Sequence, residues 1–289
     1  MEIGIGLPGT VAGVTGAQIL DWARRAEHRR FSCLAVLDRL VYPNYEPLIE
    51  LAAAAAVTDR IRLATTILIG PYRANAALLG KQLATIHHLS NGRLLIGIAA
   101  GSREDDYAVS GVDFATRGRR FDAMLDELDL IWAEPGVGSS NPISDIGPKP
   151  LNGRPTLIFG GMAGAAFQRA AGRGDGWILG GGTADQFRGG AQKLSAAWSK
   201  AGRDDPPRTM ALAYFALGDD APTKADAYLR HYYAWLGAAA ASIAQGAATD
   251  VAAVRERVSS FAEAGCDELV FIPCDSDPGQ VDLLADALP

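Results

Sequence analysis

The chain has 289 residues, 48% of them apolar and 21% charged, a composition that excludes a disordered or fibrous polymer and fits a globular protein. Lys and Arg number 27 against 33 Asp and Glu, a net charge of −6, and with no basic cluster this excludes the electrostatic footprint of a nucleic-acid binder. The longest apolar run, residues 51–57, falls far short of the roughly 18 needed to cross a bilayer, and the Met1-Glu2 start lacks a basic leader, so a cytoplasmic protein is expected.

Apolar runs of strand length alternate with helical stretches from end to end. Residues 3–7 predict a strand stopped by Pro8-Gly9. Thr15 and Gln18 have capping-box spacing, and Ile19, Trp22, Ala23 and Ala26 then recur on one helix face. Further strands are predicted at 33–37, 61–69 and 93–98, each followed by a helical segment. A long helix around 121–132 leads into the irregular stretch 134–154, rich in Gly, Pro, Ser and Asn, which is expected to be a functional loop on the substrate side. The alternation resumes with strands at 156–159, 176–179, 209–217 and 268–272. Eight strands with crossover-length helices predict one α/β domain over residues 1–289, a closed (β/α)8 TIM-type barrel, with an open doubly wound sheet as the alternative.

Barrels place their chemistry at the C-terminal ends of the strands. There the strongest signal is Gly180-Gly181-Gly182 followed by Thr183, which as an N-cap opens a helix whose amides and dipole favour an anion. Gly160-Gly161 repeats the arrangement one βα unit earlier. The plain reading of each is a tight turn; two adjacent ones favour a phosphate. No metal site is expected: the four histidines (His28, His87, His88, His231) lie in helical stretches. No lysine ends a strand, which removes a Schiff-base nucleophile. Cys33, Cys266 and Cys274 are expected to be free, mostly buried thiols. What remains is a cavity for a phosphate-bearing cofactor that brings its own reactivity.

The string LSNGRLLIGIAAGSREDDY at 89–107, with GV at 111–112 and RGRRF at 117–121, resembles the bacterial luciferase-like monooxygenase family. IGIGLP at 3–8, TDRIRL at 58–63 with PYR at 71–73, and GG at 160–161 with GDGW at 174–177 match in the family's order. The resemblance implies a (β/α)8 barrel that binds FMN or the deazaflavin F420 and acts on a small organic substrate, with a separate flavin or F420 reductase and a homodimeric state. It places Asp38 and Arg39 nearest the chemistry, Arg39 standing where many members carry His. It assigns the coenzyme to Pro8, Thr66, Ile67, Ala99, Gly101, Gly160, Gly161, Gly180, Gly181, Gly182 and Thr183. Thr66-Ile67 matches a strand-three bulge that holds a non-proline cis peptide in F420-binding members. Ser102 replaces a carboxylate of the sugar-phosphate oxidising members, and no lysine stands in the second glycine turn, which favours FMN. An F420-dependent dehydrogenase is the nearest alternative, followed by a non-catalytic flavin-binding barrel; a sugar-phosphate isomerase ranks last. Arg73 is expected either to meet an anion or to pair within its loop, Arg117, Arg119 and Arg120 to form a solvated face with Asp122 and Asp126, and Trp177 to be core.

Overall fold

A computed structural model describes residues 1–133 and 142–289. Eight parallel strands close on themselves in chain order: β1 (Glu2–Gly6), β2 (Cys33–Val36), β3 (Arg62–Ile69), β4 (Leu94–Ala99), β5 (Thr156–Gly160), β6 (Gly176–Leu179), β7 (Arg208–Phe215) and β8 (Glu268–Pro273). Pairing of Ile3 with Leu269 and Ile5 with Phe271 joins β8 back to β1, so the predicted barrel is the fold and the open sheet is not.

Helices α1 (Gly16–His28), α2 (Pro47–Ala55), α3 (Ala76–Leu89), α4 (Glu104–Val109), α5 (Arg117–Trp132), α6 (Gly164–Arg173), α7 (Ala184–Lys200), α8 (Ala221–Tyr232), α9 (Ala239–Gln245), α10 (Val251–Glu263) and α11 (Gly279–Ala287) complete the βα units. The capping box at Thr15 and Gln18 forms, and Ile19, Trp22, Ala23 and Ala26 are the buried face of α1. One apolar layer lies between strands and helices. A second, with Ala35, Leu95, Ile158, Ile178, Met210, Leu212 and Val270, fills the barrel, as alternate strand residues must.

Two local features shape the ends. Along β3 and β4 the register shifts between Thr65 and Leu68, a bulge that turns Thr66 and Ile67 out of step. Gly97 makes room for it: a Cβ there would stand 2.2 Å from the Thr65 carbonyl oxygen. The expected bulge is therefore present, but its peptide is trans; among the described residues Gly147–Pro148 is the cis bond. The N-terminal end is plugged by charge. Fully buried Glu268 accepts from Arg62 Nη2 at 2.9 Å, from Arg208 Nη2 at 2.7 Å and from the Ser32 hydroxyl, and Glu2 pairs with both arginines.

The irregular stretch departs from expectation. Residues 134–141 lie outside the described residues; the rest, with a 3-10 turn at Pro142–Asp145, packs on helices rather than on the substrate side. Leu151 N donates to His87 Nδ1 at 3.1 Å and Lys149 Nζ to the Ile131 carbonyl at 2.5 Å. The reason is topological: this segment precedes β5, and helix-to-strand connections run at the end of a barrel opposite its ligand-binding face. All three cysteines are buried and free, as expected. Among the described residues no helix is long and apolar enough to cross a membrane.

Candidate active site

A cavity of ≈ 680 Å³ opens at the C-terminal ends of the strands, within the size range of small-molecule and coenzyme sites. Of the residues singled out in the sequence, Asp38, Arg39, Thr66, Ile67, Ala99, Gly101, Gly160, Gly161 and Gly180 line it. Pro8, Gly181, Gly182 and Thr183 are not among its lining residues.

The second glycine turn is spent on its own helix. Thr183 caps α7 as predicted, its Oγ accepting from Gln186 N at 3.2 Å while Gln186 Oε1 accepts from Thr183 N at 2.9 Å. A Cβ at Gly182 would collide with that same Gln186 oxygen at 2.4 Å. These groups satisfy two of the amides at the start of α7 that an anion would use. The first turn differs: α6 starts at Ala163 without a side-chain cap, and Gly161 bends into it at φ +114°, a conformation only glycine adopts freely. Trp177, in the core as expected, fixes this turn by donating its indole N–H to the Gly161 carbonyl at 2.8 Å. Gly160 is needed for close approach, since a Cβ there would stand 1.7 Å from Ile67 Cδ1.

On this β5–β6 side, Arg117 and Arg169 also line the cavity. Arg169 is bidentate to Asp122, at 2.6 and 3.0 Å, and donates to the Gly118 carbonyl at 3.1 Å. The expected face of Arg117 with Asp122 and Asp126 is thus replaced by pairs across α5 and α6, Asp122 with Arg169 and Asp126 with Arg173. Arg117 instead lies 3.7 Å over the Phe114 ring and donates to the Phe114 carbonyl at 2.8 Å.

On the β2 side, Asp38 is buried and fully engaged. Its Oδ1 accepts from Tyr72 OH at 2.5 Å and Arg73 Nη2 at 3.1 Å, and its Oδ2 from Ile69 N at 2.8 Å. Burial pushes the Asp38 carboxyl up, against the pull of Arg73, Tyr72 and the Ile69 amide. Burial and the Asp38 charge together drive the Tyr72 phenol well above its ordinary value. Arg73 also holds Glu46 Oε1 at 2.8 Å, so of its two expected roles it takes the loop-organising one. Asp38 therefore clamps the end of β3 to β2, with three of its roughly four lone-pair directions taken.

Arg39 donates from Nη1 to the Tyr232 carbonyl at 2.6 Å and from Nη2 to the Val41 carbonyl at 3.1 Å. Two charged residues after β4, Arg103 and Asp106, were not among the sequence's site candidates. Both line the cavity, and buried Asp106 Oδ1 accepts from Leu40 N at 3.1 Å and Val41 N at 2.7 Å, fastening the β2–α2 loop onto α4. Tyr107, Tyr214, Tyr232 and Tyr233 complete the wall, with a 2.5 Å bond between the Tyr214 and Tyr233 hydroxyls. The cavity is lined by Arg39, Arg103, Arg117 and Arg169 together with Asp38 and Asp106; Arg169 is paired with Asp122 and Arg103 with Asp105 and Asp106, so the cations without a carboxylate partner among the described residues are Arg39 and Arg117.

The family model for luciferase-like monooxygenases matches residues 1–268. A protein of Mycobacterium tuberculosis is 29% identical over 195 residues, 65% of this chain and 68% of its own length. An F420-dependent glucose-6-phosphate dehydrogenase of Kribbella flavida is 27% identical over 191 residues, 62% of this chain and 57% of its own. Among solved structures, a monooxygenase of Streptomyces bottropensis superimposes with a TM-score of 0.81 at 21% identity, over 99% of this chain and 98% of that one. With a closed eight-stranded barrel, a cavity at its C-terminal end and a family match that spans nearly the whole sequence, this chain belongs to the luciferase-like monooxygenase family.

Proposed function

We propose that this protein is an oxidoreductase that passes a hydride between coenzyme F420 and a small organic substrate, both held in the barrel cavity. The observation that carries the reading is a cavity of ≈ 680 Å³ that combines apolar walls and arginine side chains with a glycine cradle no side chain can share. The residues present fit a phosphate-bearing tricyclic coenzyme. Gly160, Gly161, the uncapped start of α6 and Arg117 suit the phosphate, and the Thr66–Ile67 bulge offers an apolar brace to a ring. The F420-dependent relative supports the choice of coenzyme.

When bound, F420 supplies the two-electron chemistry. The chain's own groups orient, exclude water and fix charge. Asp38 positions β3 through Ile69 and holds Arg73 and Tyr72 in place. The tyrosine wall keeps water from the reacting atoms. FMN, used with oxygen, is the second reading, favoured by the absence of a lysine from the second glycine turn. Either coenzyme calls for a separate reductase or dehydrogenase to renew it. The exposed apolar side chains Ile49 on α2 and Leu78 on α3 fit the homodimer that belongs to this reading.

Titration of the purified protein with F420 and with FMN, followed by coenzyme fluorescence, tests it. Saturable F420 binding, with turnover on a panel of alcohols, aldehydes and conjugated acids, is expected. Failure of both coenzymes to bind refutes the proposal, tight FMN binding without F420 binding transfers it to the second reading, and F420 binding without turnover on any substrate class leaves a non-catalytic binding barrel.

A further inference from the structure

The coenzyme cradle lies by β5, yet two further cations face the cavity beside β2 and β4, and the hydride chemistry uses neither. Arg39 is only 8% exposed, and among the described residues no carboxylate lies within ion-pair distance of it. Its two terminal nitrogens are engaged by backbone carbonyls, and its Nε has no partner. The guanidinium lies between aromatic rings, 4.5 Å from the centre of Tyr42 and 5.0 Å from that of Tyr232.

Arg103 is the companion charge. It gives Nη2 to Asp105, while Nε, 3.5 Å from Asp106 Oδ2, and Nη1 make no hydrogen bond. Its guanidinium packs 5.1 Å from the ring centre of Trp235, another cavity residue. Asp105 and Asp106 both pair with Arg103, so the cation left without a carboxylate partner among the described residues is Arg39. Both arginines line the same cavity; burial and then the Arg103 charge lower the affinity of Arg39 for its proton, against the pull of Tyr232, Asp106 and Asp105. A buried cation with no carboxylate partner and an orphaned N–H, next to a second guanidinium whose N–H groups are also unfilled, is unfavourable unless an anion reaches them.

We infer that Arg39 and Arg103 form the seat for the carboxylate of an organic acid substrate, whose body lies against Tyr232 and Trp235. This rests on the reading above only in that the coenzyme occupies the β5–β6 side. Guanidinium forks match the two oxygens of a carboxylate, and the flanking rings suit an aromatic or conjugated body. Asp106 acts as a positioning residue, because it fixes the loop that carries Arg39 and stands beside Arg103.

The test uses calorimetric titration of the full chain, with F420 present, by benzoate and by its neutral counterpart benzamide, and with inorganic phosphate as competitor. Benzoate is expected to bind at least about tenfold more tightly than benzamide. Arg39→Gln and Arg103→Gln are each expected to weaken benzoate about tenfold or more, with benzamide and F420 affinities held. Equal binding of benzoate and benzamide overturns the inference without any variant, so a misfolded substitution does not shield it. Loss of F420 rather than benzoate affinity in the variants overturns it too, by assigning the pair to the coenzyme's own acidic tail. Phosphate that displaces benzoate at lower concentration than benzoate itself requires reassigns the seat to phosphate esters. If F420 does not bind but benzoate is still preferred and lost in the variants, the coenzyme reading falls and this one stands.

Discussion

One methyl group at position 160 separates coenzyme binding from folding. An alanine Cβ there would fall 1.7 Å from Ile67 Cδ1, 3.2 Å from Ile67 Cγ1 and 3.6 Å from Ala99 Cβ. Carbon atoms pack at about 3.5–4.0 Å, so Cδ1 has to retreat about 2 Å while Cγ1 needs only a few tenths. A turn about the outer side-chain bond of Ile67 achieves this, at about 0.5–1.5 kcal/mol. All three near atoms belong to side chains and the backbone at Gly160 is ordinary strand, so the barrel tolerates the change. Gly160→Ala is expected to lower the melting temperature by about 2 °C. The free space beside Ile67 is the cavity it lines, so the displaced methyl enters the coenzyme's volume. Overpacking of about 1–3 kcal/mol corresponds to an affinity loss of about 5- to 150-fold. Fluorescence titration of F420 and FMN reads that loss, and adding Ile67→Ala is expected to restore affinity to within about threefold. Wild-type affinity in Gly160→Ala, or a double variant as weak as the single one, refutes the steric argument and with it the cradle.

Glu268→Gln leaves Arg62 and Arg208 facing a neutral amide. Because both arginines keep Glu2 and are partly exposed, the loss lies at the lower end for a broken buried pair, about 3 kcal/mol by urea unfolding at neutral pH. Burial alone would raise the Glu268 carboxyl, but the Ser32 hydroxyl, Arg208 and Arg62 outweigh it and hold it below its usual range. Its stabilisation is therefore complete above the unfolded value of about 4.3 and is lost as pH falls through the lower folded value; the variant's acid limb should be correspondingly flatter, and an unchanged limb contradicts this. Asp38→Asn removes one of the two anions on Arg73, Glu46 remaining, and is expected to cost at most about 3 kcal/mol and to slow turnover while the shape of the pH–rate profile stays as in wild type; a lost limb in that profile would make Asp38 a proton carrier. Thr183→Ala should destabilise by about 1 kcal/mol through the lost cap and leave coenzyme affinity unchanged, whereas a collapse of affinity would return the second glycine turn to the coenzyme.

The barrel was legible because each strand is a short apolar run and each helix a longer periodic one, and because glycine, asparagine and proline punctuate the joins. Reading only the strand ends found the β5 turn, whereas Asp38 and the β3 bulge were marked by the family resemblance. The β6 turn is ambiguous in the sequence because the residues that cap a helix also suit an anion: Gln186 takes the Thr183 amide, and of this turn Gly180 lines the cavity. Arg103 and Asp106 were hidden for a different reason. The partners of Asp106 in the β2–α2 loop stand about 65 positions earlier, the ring under Arg103 is the distant Trp235, and sequence spacing along α4 carries no sign of either contact. Glu50 is similar: in the helical pattern of α2 it reads as a surface charge, yet it is buried against Gly9 and pushed up to about 8, by burial and then by Glu46. Nothing local marks a carboxylate that folding will bury.

The charged plug draws its members from the starts of β1, β3, β7 and β8, while the cavity draws its own from segments at the far ends of the strands. The foundation that sets strand register is thus independent of the superstructure that chooses a ligand. Exchanging the segments after β2, β4 and α8 for those of another barrel is a graft onto an unchanged base, and a change of substrate need not cost the protein its fold.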